Sequence, residues 1–429
     1  MDNRLDIIVF GATGFTGKHT LPYLYRLCQE PGKQLKWGIA GRSERKMKEV
    51  LREYAQKLGA DTLNSIPIII ADVTNELSIL KMAKNARIII NCCGPYQLYG
   101  EVVVKSCVIA GTSYVDVTGE LYFQELMASK YGKGAEEKGI YLVPACGLSS
   151  ISTEMPLTFL TKSFKGTLNS VEVFTYPLQK KFKPGPHFNF GSWASIVNDI
   201  GEFRSVLILM RSIGLPSFSK MSSRCWLRLP FTKDETIGIP DKRILPCPSP
   251  DTNVAKRSQN YFYEHDAKPP IKVRHYYLME SWTNILLLTF IGLITIVFSQ
   301  FQYGRQLLLK HPKVFTAGYF DHKPPTEELT ESSELDMYFY GKGWSNMKDN
   351  QVNTPPNKSI LGRLHVVNPG YGFTCLAVVL SAITILTEPS KLPKKGGFYT
   401  PAVVFFKTSL VEELQKNGVP LEILSVKDL

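Results

Sequence analysis

The chain has 429 residues, enough for two or three domains, and its 44% hydrophobic and 21% charged content excludes a disordered or low-complexity protein. A formal net charge of +12 comes with no aromatic–basic interleaving and no zinc-finger spacing, so nucleic acid is not an expected partner. Eight cysteines without a C-x-x-C pair, and no paired histidines, argue against a metal site and a disulfide framework and fit a reducing compartment.

The opening "MDNRLDIIVFG" places acids before its apolar run and has no small-residue cleavage site, so neither a secretory nor a transit peptide is expected. "IIVFGATGFTG", residues 7–17, is a β-branched run followed by three glycines at three-residue intervals. A helical pattern follows in "FTGKHTLPYLYRLCQ", then a second strand in "LKWGIAG". "SERKMKEVLREYAQKLG" repeats Met47, Val50, Leu51, Tyr54 and Leu58 on one helical face. "SIPIIIADV", "RIIINCCGP", "SYVDVTG" and "GIYLVPACG" read as four more strands, separated by helical stretches such as residues 77–85 and 99–110. Strands alternating with helices predict right-handed βαβ units and a parallel sheet, with ligand at the carboxyl ends of the strands.

In that frame the backbone of Gly11, Ala12, Thr13, Gly14, Phe15, Thr16 and Gly17 is a dinucleotide cradle. Gly11 allows the tight turn, Gly14 the approach of a pyrophosphate and Gly17 the close packing of helix on strand, although the common spacing is G-x-G-x-x-G. The second strand ends in Gly41, Arg42 and Ser43 with no acid at its tip, which favours NADP(H) over NAD(H), since an arginine suits a 2′-phosphate. The alternative for Arg42 is an exposed helix-start residue. Asp72 either bonds the adenine amino group or caps the next helix. Asn91, Cys92, Gly94, Pro95 and Tyr96 are expected beside the nicotinamide ribose, with Cys92 and Cys93 as packing residues rather than nucleophiles.

A Tyr-x-x-x-Lys pair on a helix would give a lysine-assisted phenol. The three matches, Tyr176/Lys180, Tyr319/Lys323 and Tyr338/Lys342, all meet proline or glycine that breaks the helix. Tyr96 and Tyr99 remain as candidate acids, with packing tyrosines as the alternative.

"VFGATGFTG", "AGRS", "NCCGPYQLYGE" and "YVDVTGE", in this order, resemble the saccharopine dehydrogenase-like oxidoreductases. The likeness continues through "GSWAS", "HPKVFTAGYF", "PGYGFTCLAVVL" and "LPKKGGFYTPAVVF", and so covers nearly the whole chain. It implies an α/β protein: a Rossmann-type parallel sheet domain over residues 1–150 and an inserted α+β second domain over 151–429, whose segment 370–429 packs back on the body. It also implies a nicotinamide cofactor held by residues 11–17, 42 and 91–96, with Glu120 at the rim of the cleft. Bacterial members resemble trans-acting enoyl reductases of lipid biosynthesis, and a homodimer is a family-level expectation. Where many members have Gly-Phe-Asp-Ser, residues 147–150 here are Gly-Leu-Ser-Ser, which opens the question of catalytic competence.

Residues 215–275 hold 11 Lys/Arg against 6 acids, either a solvated face or an attraction to an anionic membrane. The run leads into 24 uncharged residues, 281–304, whose densely apolar part is the 14 residues 285–298. That is short of the roughly 20 residues of a span, so a monotopic or membrane-dipping helix competes with a buried core helix, and a true span is the third alternative. The expected protein is an NADP(H)-dependent oxidoreductase of a hydrophobic, lipid-type substrate, on the cytosolic face of a membrane or lipid droplet. The alternatives are a non-catalytic cofactor-binding scaffold attached to membranes and an amino-acid dehydrogenase of the saccharopine kind.

Overall fold

A computed structural model describes residues 4–429 apart from 149, 179–184, 214–227, 229–236, 239–241, 248 and 347–353. Much of the basic segment and Ser149 of the divergent loop therefore lie outside the described residues. The first half alternates as the apolar pattern predicts. In chain order it runs β1 (Leu5–Phe10), α1 (Phe15–Leu27), β2 (Trp37–Gly41), α2 (Glu44–Leu58), β3 (Ile68–Ile70), α3 (Glu76–Lys84), β4 (Ala86–Asn91), α4 (Tyr96–Ala110), β5 (Ser113–Asp116), α5 (Leu121–Lys138), β6 (Tyr141–Val143) and α6 (Ile151–Ser163).

These strands form a parallel sheet completed by β14 (Gly397–Phe398), in the order β14-β6-β5-β4-β1-β2-β3. Strand order reverses between β1 and β4, and a crevice at their carboxyl ends follows from that reversal. Both faces are covered, which is why β1 and β4 are continuous apolar runs: Ile7, Ile8, Val9 and Ile88 to Ile90 are wholly buried.

The second sheet contains β7 (Thr167–Leu178), β9 (Arg243–Pro246), β10 (Lys272–Met279), β12 (Glu334–Trp344), β13 (Lys358–Val367) and β15 (Leu421–Asp428), in the order β15-β13-β12-β7-β10-β9. Only β7 and β10 pair in parallel among its described pairs. Val171, Val173, Met337, Phe339, Ile360 and Leu364 alternate onto one face and share a core with Met155 and Leu160 of α6. The pair β8 (Phe188–Asn189) and β11 (Phe320–Asp321) forms a small sheet beside α7 (Phe190–Gly201) and α8 (Phe203–Ile213).

The remaining helices are α9 (Pro250–Asp266), α10 (Trp282–Ser299), α11 (Gln302–Lys310), α12 (Pro312–Phe315), α13 (Glu327–Glu331), α14 (Thr374–Thr387), α15 (Pro401–Phe405) and α16 (Leu410–Lys416). Two described helices are long and apolar enough to cross a membrane by length and composition. They differ in surroundings: the one at Pro369–Thr387 is 78% buried, whereas Trp282–Ser299 is 17% buried. Thus α14 is a core helix, packed on α1, β4 and β5, and α10 is a surface one. The chain after residue 370 serves both sheets, through β14 in the first and β15 in the second.

Candidate cofactor site

Gly11 turns the chain at φ +85°, a conformation that disfavours a side chain. The Gly14 amide donates to the Gly11 carbonyl at 2.9 Å, and α1 starts at the next residue. A Cβ on Gly17 would collide with that same carbonyl, so the third glycine is a packing requirement. Gly11 and Gly17 thus have the turn and packing roles that their spacing predicts.

Four of the helix N-termini around the sheet have their first amides bonded by side chains. Ser43 caps α2 by accepting from the Lys46 amide, and Asn75 caps α3 by accepting from Ser78. The first amides of α4, on Tyr96 and Gln97, donate to Glu120 at 2.9 and 2.7 Å. The Tyr122 amide at the start of α5 donates to Asp199. At α1 the cap position is Gly14, with no side chain to satisfy the first amides. Free amides at the positive end of a helix, beside a glycine turn at the strand-order switch, suit a pyrophosphate.

Arg42 follows β2 and enters no salt bridge among those resolved, whereas its neighbour Arg45 is paired with Glu49 at 2.7 Å. Ser43 is spent on its capping bond. Asp72 is not a helix cap, because that position belongs to Asn75; its carboxylate accepts from the amide and hydroxyl of Thr74, both at 2.9 Å. Those two bonds, with the nearby Arg42 charge, hold its pKa below the ordinary value.

The loop after β4 is fixed from inside. Asn91 accepts from the Cys93 amide and donates to the Tyr114 hydroxyl, which donates to Asp116 at 2.7 Å. Asp116 also accepts from the amides of Thr118 and Ala145, tying the ends of β4, β5 and β6 together. Burial pushes its carboxyl up to about 7. Ala145 is held at φ +60°, so that bond fixes a strained backbone. Gly94 and Pro95 lead into α4, and the Cys92 backbone lies against Gly11. Burial raises the Cys92 thiol to about 12, consistent with packing rather than nucleophilic use.

Tyr96 is 5% exposed and its hydroxyl donates to the Asn91 carbonyl at 3.0 Å. Burial, with the Asp116 charge, raises its phenol well above the ordinary value, so it stays protonated. Tyr99, one turn on, is 38% exposed. Tyr176 and Tyr338 lie on strands and Tyr319 in a loop, which removes the Tyr-x-x-x-Lys geometry; Lys180 lies outside the described residues.

Glu120 differs from its expected place at a rim: it is wholly buried. Besides the two α4 amides it accepts from Ser195 at 2.6 Å. Burial raises its pKa against the pull of these three donors. Asp199 is pushed up to about 6, by burial and by the neighbouring Glu120 charge. Ser195 closes the family stretch "GSWAS" whereas Asp199 belongs to no motif; their i, i+4 spacing opposite Trp193 and Val197 could have marked a two-faced helix.

The family described as "Saccharopine dehydrogenase NADP binding domain" matches residues 7–143, the stretch that carries the open helix end and Arg42. A rat "Saccharopine dehydrogenase-like oxidoreductase" is 35% identical over 99% of this chain and 98% of its own. The chain belongs to the saccharopine dehydrogenase-like oxidoreductase family. A Caenorhabditis elegans "Lipid droplet localized protein" is 33% identical, with both chains covered over 100%. A Mycobacterium bovis "Trans-acting enoyl reductase" is 36% identical over 36% of this chain and 35% of its own. Yeast saccharopine dehydrogenase (L-Glu forming) shares the fold, with a TM-score of 0.51 and 12% identity over 99% of this chain and 100% of that one. This family member is an NADP(H)-binding oxidoreductase by its domain match, and the residues at the crevice fit that cofactor. Bound there, the nicotinamide would supply or accept a hydride; the chain supplies its position.

Proposed function

We propose that the protein is an NADP(H)-dependent oxidoreductase of a hydrophobic, lipid-type substrate, held on the cytosolic face of a membrane or lipid droplet by α10. Residues 11–17 hold the pyrophosphate in this reading. Gly41, Arg42, Ser43 and Asp72 surround the phosphorylated adenosine, and Asn91 to Tyr96 the nicotinamide ribose. Tyr99 is the more accessible of the two phenols as a proton source.

The observation that carries the membrane half is the outer face of α10. Leu286, Phe290, Leu293 and Ile296 are 51–66% exposed, with Trp282 at one end and Phe301 just past the other. Surface side chains of a soluble helix are ordinarily polar, and an apolar patch of this kind marks an interaction surface. Eighteen residues span about 27 Å, and both ends are tied to the body. Arg243 of β9 stacks over Trp282, while Arg305 bonds the Gly201 carbonyl and Glu202. A helix fastened at both ends lies along a surface rather than through it. Exposed Lys310 and Lys313, on the neighbouring α11 and α12, suit an anionic headgroup layer. The names of the worm and mycobacterial relatives support a lipid setting.

The test uses NADPH deuterated at the transferable position, incubated with the full chain and a membrane lipid extract. Cofactor consumption with deuterium appearing in a lipid, read by mass spectrometry, is expected. Tight cofactor binding with no label in any lipid would establish the scaffold alternative instead.

A further inference from the structure

Helix α7 touches three regions at once. Its N-cap, Asn189, donates its amide to the Tyr371 hydroxyl at 2.7 Å, and the Tyr371 ring packs on Phe15 at 4.4 Å, at the first residue of α1. Ser195 and Asp199 on one face bond Glu120 and the start of α5. Trp193 and Val197 on the opposite face pack with Leu308, Ile294 and Phe298 of α10 and α11. The Trp193 indole donates to the Leu308 carbonyl at 3.0 Å, and Arg305 clamps the far end of α7. A helix of 12 residues, about 18 Å long, thus joins the inner side of α10, behind its exposed apolar face, to both sides of the dinucleotide crevice.

We propose that α7 couples the two, so that docking of α10 on a lipid surface and binding of NADPH strengthen one another. The proposal rests on the membrane reading above and adds its regulation. Docking orders α10 and, through Trp193 and Arg305, α7. Ordered α7 holds Ser195 against Glu120, which holds the Tyr96 and Gln97 amides and so the loop beside the nicotinamide. A cofactor meeting an already ordered loop loses less conformational entropy on binding. Thermodynamic linkage requires the effect to be reciprocal.

The test uses the full chain, NADPH fluorescence titration, and flotation with vesicles of phosphatidylcholine containing a minor fraction of phosphatidylserine. Saturating vesicles are expected to lower the NADPH Kd by about 5-fold, the lower end of ordinary couplings, and saturating NADPH to raise vesicle partition by the same factor. Ser195→Ala should keep partition while both factors shrink toward unity, which a purely structural loss would not produce. If wild-type protein floats with vesicles but its NADPH affinity is unchanged or weakened, the coupling is overturned and the membrane reading stands. If it does not float at all, the membrane reading itself fails.

Discussion

At the residue scale the decisive side chain is Arg42. It stands at the end of β2 near enough to Asp72 to help lower that carboxyl, in a stretch where Ser43 is occupied as a cap and Arg45 by Glu49. A hydrogen bond to a charged group contributes about 1.5–3 kcal/mol, so Arg42→Ala should weaken NADPH binding by about 10- to 100-fold and leave NADH binding nearly unchanged. Equal weakening of both cofactors in fluorescence titration would show that Arg42 does not read the 2′-phosphate. The turn at Gly11 and the close packing at Gly17 were legible because both are local, within one βα unit. Glu120 was misplaced because its work is done across the fold. Nothing in "YVDVTGE" says that its last residue turns inward to satisfy another helix and a serine 75 residues away.

At the element scale α10 departs from soluble-protein pattern by exposing the face that should be polar. Transfer of a leucine or phenylalanine side chain from water to an apolar phase yields about 1.5–3 kcal/mol. Leu286→Asp and Phe290→Asp should therefore each reduce vesicle partition by about 10-fold or more. Because both side chains are more than half exposed in the free protein, neither substitution should lower the melting temperature. Loss of partition with a parallel loss of fold would place α10 in the core instead. The apolar length of 14 residues left a core helix and an interfacial helix open in the sequence, since periodicity does not tell which side of a uniformly apolar helix is covered. The helix at Pro369–Thr387 makes the point: its mean hydropathy of 1.8 is close to the 2.0 of Trp282–Ser299, and its surroundings are the opposite.

At the scale of the whole molecule, stability should respond to pH through buried carboxyls that have no ion-pair partner among the described residues. Burial raises Asp251 to about 8 and Glu154 to about 7, while Asp116 stands at about 7; it lowers His275 to about 4. Unfolded carboxyls titrate near about 4, so between there and pH 8 the folded chain holds the extra protons and loses stability as pH rises. His275 acts in the opposite sense only up to about 6.5, its unfolded value. From about pH 6.5 to 7.5, below the range of unfolded thiols, the carboxyls dominate; stability should fall by up to about 1.4 kcal/mol per pH unit for each one still protonated, and the melting temperature should fall with it. Asp251→Asn should make that slope shallower; an unchanged slope would remove Asp251 from the account. Glu154, Asp251 and His275 were not marked in the sequence, because their burial is created by contacts between α6, α9 and β10, as where Thr153 bonds both Asp251 and His275.

The late β14 has a consequence for biosynthesis. The first sheet pairs β6 with Gly397 and Phe398, and α14 fills the core beneath β4 and β5, so neither is complete until nearly the whole polypeptide has left the ribosome. Chains emerge at about 5–20 residues per second, amino end first, so α10 is delivered several seconds before them. Under the proposed docking of α10, the nascent chain would therefore meet a lipid surface while its nucleotide fold still lacks an edge.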